Sequence, residues 1–556
     1  MKRYLLASAV MIAFVPFKAQ AAQIDAEGAA HLKEVFKNLL QDQKEINEVF
    51  GSIEVIYTGE VSVEPKGEYY AVVLPKISFG PGAKLKEAMG GPDAQGTAPE
   101  APAFSMDLGQ AAINAVPDDK QGYWKMTVAL PSSMSFGVAN EMAMNINIGE
   151  QNTSGLFHEA SGNFLKMNSL LKDVKFSMTA NGSTHDFAIP EFKVNTNLEE
   201  DGQGHVSGPT TIRASGMQFD IPDEHAKVSL GALQLNANIS KYRLIPMSEY
   251  KAKIMTFGEK LASFEKAAET GQPPSATEIE EMINAALALN DYEGINFAYS
   301  LENLEFAANP PQDDFKQGED IKNLKIASGI FGMGLEGLKS ETASLNVNFS
   351  YSGVSVEPTP QGYEGIIPDS AKFDVTAGKI PLQSIWTAGM NAGKAALANP
   401  DTGPMAAMGL MMQVPMMLTQ AGTEISVKDN FVNAKDYKAT LNGNVKADVS
   451  AIMQFVADFK GRFEGLDGLL AKAQANANNP DMPNAYEFQD IASQLSMLKE
   501  YGAASGNGYD FDIKVTPDGK ATVNGKEIPL MGGGAGGPPM QNQDPAAGGD
   551  DSQLPY

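Results

Sequence analysis

Apolar and polar residues alternate along this chain with two different periods, and the points where the period changes divide it. Leu32, Val35, Phe36, Leu39, Ile46, Val49 and Phe50 recur at helical spacing with lysines and glutamates between them. That spacing predicts an amphipathic helix over 27–50, which Gly51 ends. From Ile53 the period becomes two. Val174, Phe176 and Met178 alternate with Lys175, Ser177 and Thr179; the runs Phe192–Leu198 and Leu233–Ile239 do the same, each with one dry and one wet side. Tyr250, Ile254, Phe257, Leu261 and Phe264 predict a second helix, and Ile279, Met282, Ile283, Ala286 and Leu287 a third. Alternation resumes at Leu345–Tyr351 and Ala439–Val449. Two further helices are expected, one carrying Ile452, Phe455, Phe459 and Phe463, the other Phe488, Ile491, Leu495 and Leu498. A last hairpin closes the chain.

These elements predict an α+β protein, antiparallel and β-rich, built of two related halves with amphipathic helices packed on the sheets. The divisions are a signal peptide (1–21), an N-terminal helix with a β-rich half (22–245), a helical connector (246–292), a second β-rich half with a Met-rich helical insertion (293–530) and a disordered tail (531–556). Segments 83–104, 308–319, 395–404 and 474–485, and the Gly- and Pro-rich tail from Met531, have a composition that buries little.

The two halves are suggested by a duplication. Tyr57-Thr58-Gly59-Glu60-Val61-Ser62-Val63-Glu64-Pro65 returns as Tyr351-Ser352-Gly353-Val354-Ser355-Val356-Glu357-Pro358, one residue shorter. Each copy is followed by a glycine turn, Gly67-Glu68-Tyr69 in one and Gly362-Tyr363 in the other, and then by a second apolar run. Looser echoes occur after Gly122-Tyr123-Trp124 and Val515-Thr516-Pro517-Asp518-Gly519. Each reads as a hairpin: a strand, a Pro/Gly turn and a return strand. Nothing in the repeat is nucleophilic or metal-binding, which favours a scaffold or an extended binding surface.

Met1-Lys2-Arg3, the apolar run Tyr4–Phe17 and Ala19-Gln20-Ala21 have the order of a secretory signal, so cleavage is expected after Ala21 and the mature chain is expected in the periplasm. The run falls short of the roughly 20 apolar residues that span a bilayer, and no stable membrane span is expected after cleavage. The chain has no cysteine, so burial rather than disulfides must stabilise it. Its formal charge of −26 becomes more negative once Lys2, Arg3 and Lys18 leave with the signal, and its remaining arginines are Arg213, Arg243 and Arg462. That balance disfavours nucleic acid and anionic surfaces as partners.

The C-terminal segment carries a helix ending near Leu498, then Gly502, Tyr509-Asp510-Phe511-Asp512-Ile513, Asp518-Gly519 and Val523-Asn524-Gly525-Lys526-Glu527-Ile528-Pro529. This succession of helix, glycine, tyrosine-bearing strand, Asp-Gly turn and Asn-Gly-Lys hairpin resembles the closing motif of the YdgA-like bacterial envelope proteins. The aromatic, arginine-containing element that this family has near the start of the mature chain is absent here. The resemblance implies an envelope location and a β-rich, non-enzymatic fold, and supplies no active-site residue.

Candidate chemistry is sparse. His31, His158, His185, His205 and His225 are scattered, which disfavours a zinc site, and no cofactor is expected. Glu199-Glu200-Asp201-Gly202 and Asp313-Asp314 are acidic loops without the twelve-residue calcium pattern. Ser-x-x-Lys occurs at Ser169/Lys172, Ser263/Lys266 and Ser496/Lys499, without the companion Ser-Asp-Asn and Lys-Thr-Gly elements of penicillin-recognising enzymes. The aromatics Tyr69, Trp124, Tyr363 and Trp386 are expected in the core, with the lining of a binding surface as the alternative. The stretch Thr402–Thr423 carries no charge and holds Met405, Met408, Met411, Met412, Met416 and Met417. A buried core helix is the first expectation for it, with 405, 408, 412 and 416 on one face. An adaptable apolar surface formed by Met405, Met408, Met412 and Met416 is the functional alternative; a membrane span and a thioether copper(I) site come last.

The sequence therefore points to a non-enzymatic periplasmic binding or scaffold protein that takes a hydrophobic, lipid-like ligand or an envelope protein as partner. A serine hydrolase and a structural partner of an envelope assembly are the alternatives.

Overall fold

The computed structural model describes residues 24–82, 104–138, 142–180, 182–221, 225–269, 275–289, 291–308, 321–398 and 403–528. The expected signal peptide, Asp313-Asp314, most of the expected loose segments 83–104 and 308–319, and the tail from Met531 lie outside the described residues.

Helix α1 (Ala26–Phe50) begins where the Asp25 carboxylate accepts a hydrogen bond from the Gly28 N–H at 2.8 Å. It ends at Gly51, whose left-handed backbone returns its N–H to the Asn47 carbonyl. Its apolar side, Ala29, Leu32 and Phe36, shares one core with Tyr70, Val72, Ile113, Trp124, Met126 and Phe157.

The strands of the described residues belong to one antiparallel sheet, and strand predominates over helix. Its N-terminal part is β1 (Ile53–Thr58), β2 (Ser62–Lys66), β3 (Tyr69–Val73), β4 (Lys76–Pro81), β5 (Phe104–Gly109), β6 (Ala112–Pro117), β7 (Tyr123–Ala129), β8 (Ser133–Val138), β9 (Met142–Asn147), β10 (Glu150–His158) and β11 (Asn163–Ala180). Long β11 is a fork: β10 pairs with its first part, from Asn163 to Lys172, and β9 with its last, from Lys175 to Ala180. One branch then runs β10–β7–β6–β3–β2, and the other β9–β8–β5–β4–β1.

From β11 a single meander continues through β12 (Ser183–Asn197), the two-residue β13 (Glu199–Glu200), β14 (His205–Ile221), β15 (Ala226–Arg243), β16 (Gly294–Ala308), β17 (Asn323–Glu336), β18 (Ala343–Ser352), β19 (Ser355–Glu357) and β20 (Ser370–Ile380). It ends with β21 (Glu424–Asn433), β22 (Lys438–Ala447), β23 (Phe455–Glu464), β24 (Ala503–Ser505), β25 (Gly508–Val515), β26 (Ala521–Val523) and β27 (Lys526–Ile528). The sheet runs unbroken across the helical connector, since β15 pairs with β16 from Ala226 to Ser240.

Helices α2 (Met247–Glu269) and α3 (Ala276–Ala288) are inserted between β15 and β16; α4 (Leu382–Ala398) and α5 (Gly403–Ala421) are inserted between β20 and β21. The register places both insertions at the same end of the strands. From α1 to α5 each helix touches the next. Lys251 of α2 binds Asp42 and Glu45 of α1 at 2.5 and 3.0 Å, and Lys394 of α4 binds Glu280 of α3 at 2.5 Å. The last pair, α6 (Leu466–Ala477) and α7 (Ala485–Tyr501), packs through Leu470, Ala473 and Ala492. No helix among the described residues is long and apolar enough to cross a membrane.

Three expectations are corrected. Phe455, Phe459 and Phe463 lie on strand β23, not on a helix: a spacing of four is even, so it also fits one side of a strand, with Ala457 and Gly461 between. Among the described residues of segment 395–404, 395–398 close α4 and 403–404 open α5 rather than forming loose chain, whereas in 474–485 residues 478–484 form the irregular connection between α6 and α7. The duplicated motif forms strand, left-handed glycine, strand in both copies, with Gly59 at φ 97° and Gly353 at φ 66°. Beyond the motif the copies diverge: Gly67 turns into β3, whereas Gly362 opens an irregular stretch that reaches β20 only at Ser370.

Candidate functional site

Alternation gives the meander one apolar side, and the register lines it up from strand to strand. Val194, Ile212, Leu235, Tyr299, Phe331, Phe349 and Phe373 stand directly opposite one another across β12, β14, β15, β16, β17, β18 and β20. A second row runs Phe176, Phe187, Phe219, Val228, Phe306, Leu324 and Val356, with the Phe176 and Phe187 rings stacked at 4.4 Å and Phe219 5.5 Å further on.

The two rows have opposite parity in each strand, yet share a side, because a crease separates them. Asp173, Pro190, Gly216, Gly231, Asn303, Ala327 and Gly353 face one another at one level of the sheet. Asp173 (φ 52°), Gly216 (φ 74°), Asn303 (φ 51°) and Gly353 (φ 66°) have left-handed backbones on alternate strands of this line. A left-handed residue turns the strand over by one position. Leu171 and Val174, three apart on β11, therefore enter the same core, as do Ile189 and Phe192 on β12. Asn, Asp and Gly are the residues that tolerate this backbone most readily.

The opposite side is polar and cross-linked. Arg213 makes a bidentate contact to Glu302 at 2.8 and 2.6 Å and a third bond to Gln234. Asn346 donates to Asp374 and Thr376, Asn444 to Glu424, and Arg462 to Asp510. The sheet is thus wet on one side by construction, and the question is what covers the other.

Near the fork, α1 covers it. Beyond β14 the cover thins: Tyr299, Phe331, Phe349 and Phe373 remain between 44% and 51% exposed, and Leu233, Met333, Ile425 and Leu441 on the same side are also exposed. Aromatic rings facing solvent across adjacent strands form an apolar patch of the kind that marks binding surfaces.

The methionine stretch is helix α5, with Pro415 inside it, and it buries no residue. The core-helix expectation is overturned: Met405, Met408, Met412 and Met416 are 52% to 72% exposed. The helix touches α4 and the ends of β20 and β22, contacts too few to enclose its side chains. Of the aromatics expected in the core, Trp124 is buried, whereas Trp386 on α4 is exposed.

Neither Ser169 with Lys172 nor Ser496 with Lys499 forms a dyad. Ser169 is buried and bonded to Thr153 at 2.5 Å, while Lys172, an odd number of residues away on the same strand, faces the polar side and holds Glu150 at 2.8 Å. Ser263 lies exposed on α2; Ser496 lies exposed on α7, where Lys499 is paired with Asp467 at 2.6 Å. Glu200 accepts from Lys120 and the Tyr123 hydroxyl, and Asp201 closes its own turn by accepting from the Gln203 and His205 amides. His158 bonds Ser161 at 2.9 Å, and burial pushes its imidazole below the ordinary value.

Sequence reasoning missed the aromatic row and the crease. The change of apolar parity around Asp173, Gly216 and Asn303 was the available signal.

No family model, curated protein or solved structure matches the chain.

Proposed function

We propose that this is an exported, periplasmic binding protein of the cell envelope whose apolar sheet face holds a hydrophobic, lipid-like ligand without catalysing a reaction on it. The observation that carries the reading is the exposed row Tyr299–Phe331–Phe349–Phe373, backed on its other side by a hydrogen-bonded polar surface. Such a face costs solubility unless something apolar occupies it. Met405, Met408, Met412 and Met416 belong to the same reading as an adaptable apolar flank, since thioether side chains repack around varied aliphatic shapes. On this reading the two halves are related sheet units that extend one apolar surface, supported by the duplicated strand–glycine–strand motif. The export signal and the likeness of the C-terminal hairpins to the YdgA-like envelope proteins support the location.

Titration of the purified protein with a fluorescent polyene fatty acid tests the reading. Saturable binding that a non-fluorescent fatty acid displaces is expected; absence of binding up to the solubility limit of the probe overturns it. A structural partner of an envelope assembly is the second reading, favoured by the exposed apolar residues of α4 and α5, Trp386 and the methionines. It predicts protein capture that competing fatty acid does not reduce.

A further inference from the structure

A partly open cavity of about 210 Å³ lies between the two branches of the fork. Met126, Val128 and Phe157 line it from the β10–β7–β6 branch, Leu108 and Met134 from the β9–β8–β5 branch, and Phe36 closes it from α1. No residue that lines it carries a side-chain nitrogen or oxygen. An apolar cavity of about 150 Å³ stays dry and takes benzene, so this one is large enough for hydrocarbon and offers water no side-chain partner. It is also smaller than the roughly 300 Å³ at which pockets for drug-sized ligands begin. Bulky ring systems and head groups are thereby excluded, the first by volume and the second by the absence of any hydrogen-bonding side chain.

The cavity lies on the same side of the sheet as the open face. Phe157 and Met126 stand on the same side of the sheet as Leu171, which continues by register through Phe192 and Ala214 to Leu233. We infer that the cavity takes the methyl end of an unbranched aliphatic chain whose remainder lies along the open face. At about 30 Å³ per heavy atom, the share water has in its liquid, it accommodates roughly seven carbons. This inference rests on the function proposed above and adds the ligand's class and its direction.

Trp124 reports on the site. It lies two residues before Met126 on β7, is buried, and is one of two tryptophans in the chain. In a Trp386→Phe background its fluorescence is measured with two stearic acids, one brominated near the methyl end and the other beside the carboxyl. Quenching by the methyl-end bromide alone is expected. Ala111→Leu and Val128→Phe, two independent ways of filling the cavity, abolish that difference while the fluorescent fatty acid still binds the open face. Equal quenching by both acids, binding without quenching of Trp124, or a difference that survives both filled variants overturns the inference alone. Binding of neither acid overturns the proposed function together with it.

Discussion

Phe349→Ala separates a binding face from a core. Phe349 sits between Phe331 and Phe373 in the aromatic row and is 44% exposed. Taking about 200 Å² for a phenylalanine, roughly 90 Å² remains open to a ligand, which at about 25 cal/mol per Å² is about 2 kcal/mol. Truncation therefore weakens binding of the fluorescent fatty acid by at most about thirtyfold, with ordering costs drawing the value down. The part that is already covered contributes to the fold, so urea unfolding shows a loss of about 2–3 kcal/mol. Phe488, fully enclosed against Tyr363 at 5.0 Å, is the control: Phe488→Ala costs about 3–5 kcal/mol and leaves the affinity of the folded protein unchanged. Unchanged affinity in Phe349→Ala, or a stability loss above about 3 kcal/mol, refutes the reasoning, because the ring would then be core.

Other substitutions test the scaffold. Gly216→Val puts a β-branched side chain on a φ of 74° and against Pro190, with 3.1 Å from its Cβ to the ring; urea unfolding registers a loss of about 2 kcal/mol or more, whereas Asn303→Gly on the same crease is tolerated. Gly28→Ala gains about 1 kcal/mol in helix propensity but drives its Cβ into the buried Tyr70 hydroxyl, so the thermal midpoint falls rather than rises. Leu32→Ala, at a position with no exposure, costs about 2–5 kcal/mol in the same measurement. Burial keeps His158 neutral in the fold, where Glu200, Lys120 and Glu159 surround it. Its contribution is complete above the ordinary imidazole value of about 6.5 and lost as pH falls through the lower folded value, so unfolding midpoints drop from pH 7.5 to pH 5 and His158→Asn flattens that drop.

Much of the local structure was legible because single elements carry their own signals. The 3.6-residue spacing from Leu32 and the closing Gly51 mark α1 within one residue of its observed start. Asp518-Gly519 and Asn524-Gly525 mark the turns of the last hairpins, where the Asn524 side chain also ties Tyr501 to Asp510. Failures arose where one pattern has two readings. Phe455, Phe459 and Phe463 fit a helix and a strand alike, and only pairing with β22 and β25 decides between them. The uncharged methionine stretch reads as interior by composition, although it forms a surface helix held by few neighbours. The aromatic row was illegible for a different reason: Tyr299, Phe331, Phe349 and Phe373 lie in separate strands, and their alignment depends on register, which no single segment encodes. Asp173 and Asn303 read as ordinary polar positions of a strand, which hides the change of parity beside each.

The central claim is that the apolar face is a binding surface. Its most direct test is solvent extraction and mass analysis of the mature protein, purified without detergent. The account predicts reproducible co-purifying lipid that is depleted when Phe331 and Phe349 are both replaced by aspartate in a protein that still folds. A protein free of lipid, or one whose lipid content those replacements leave unchanged, contradicts it.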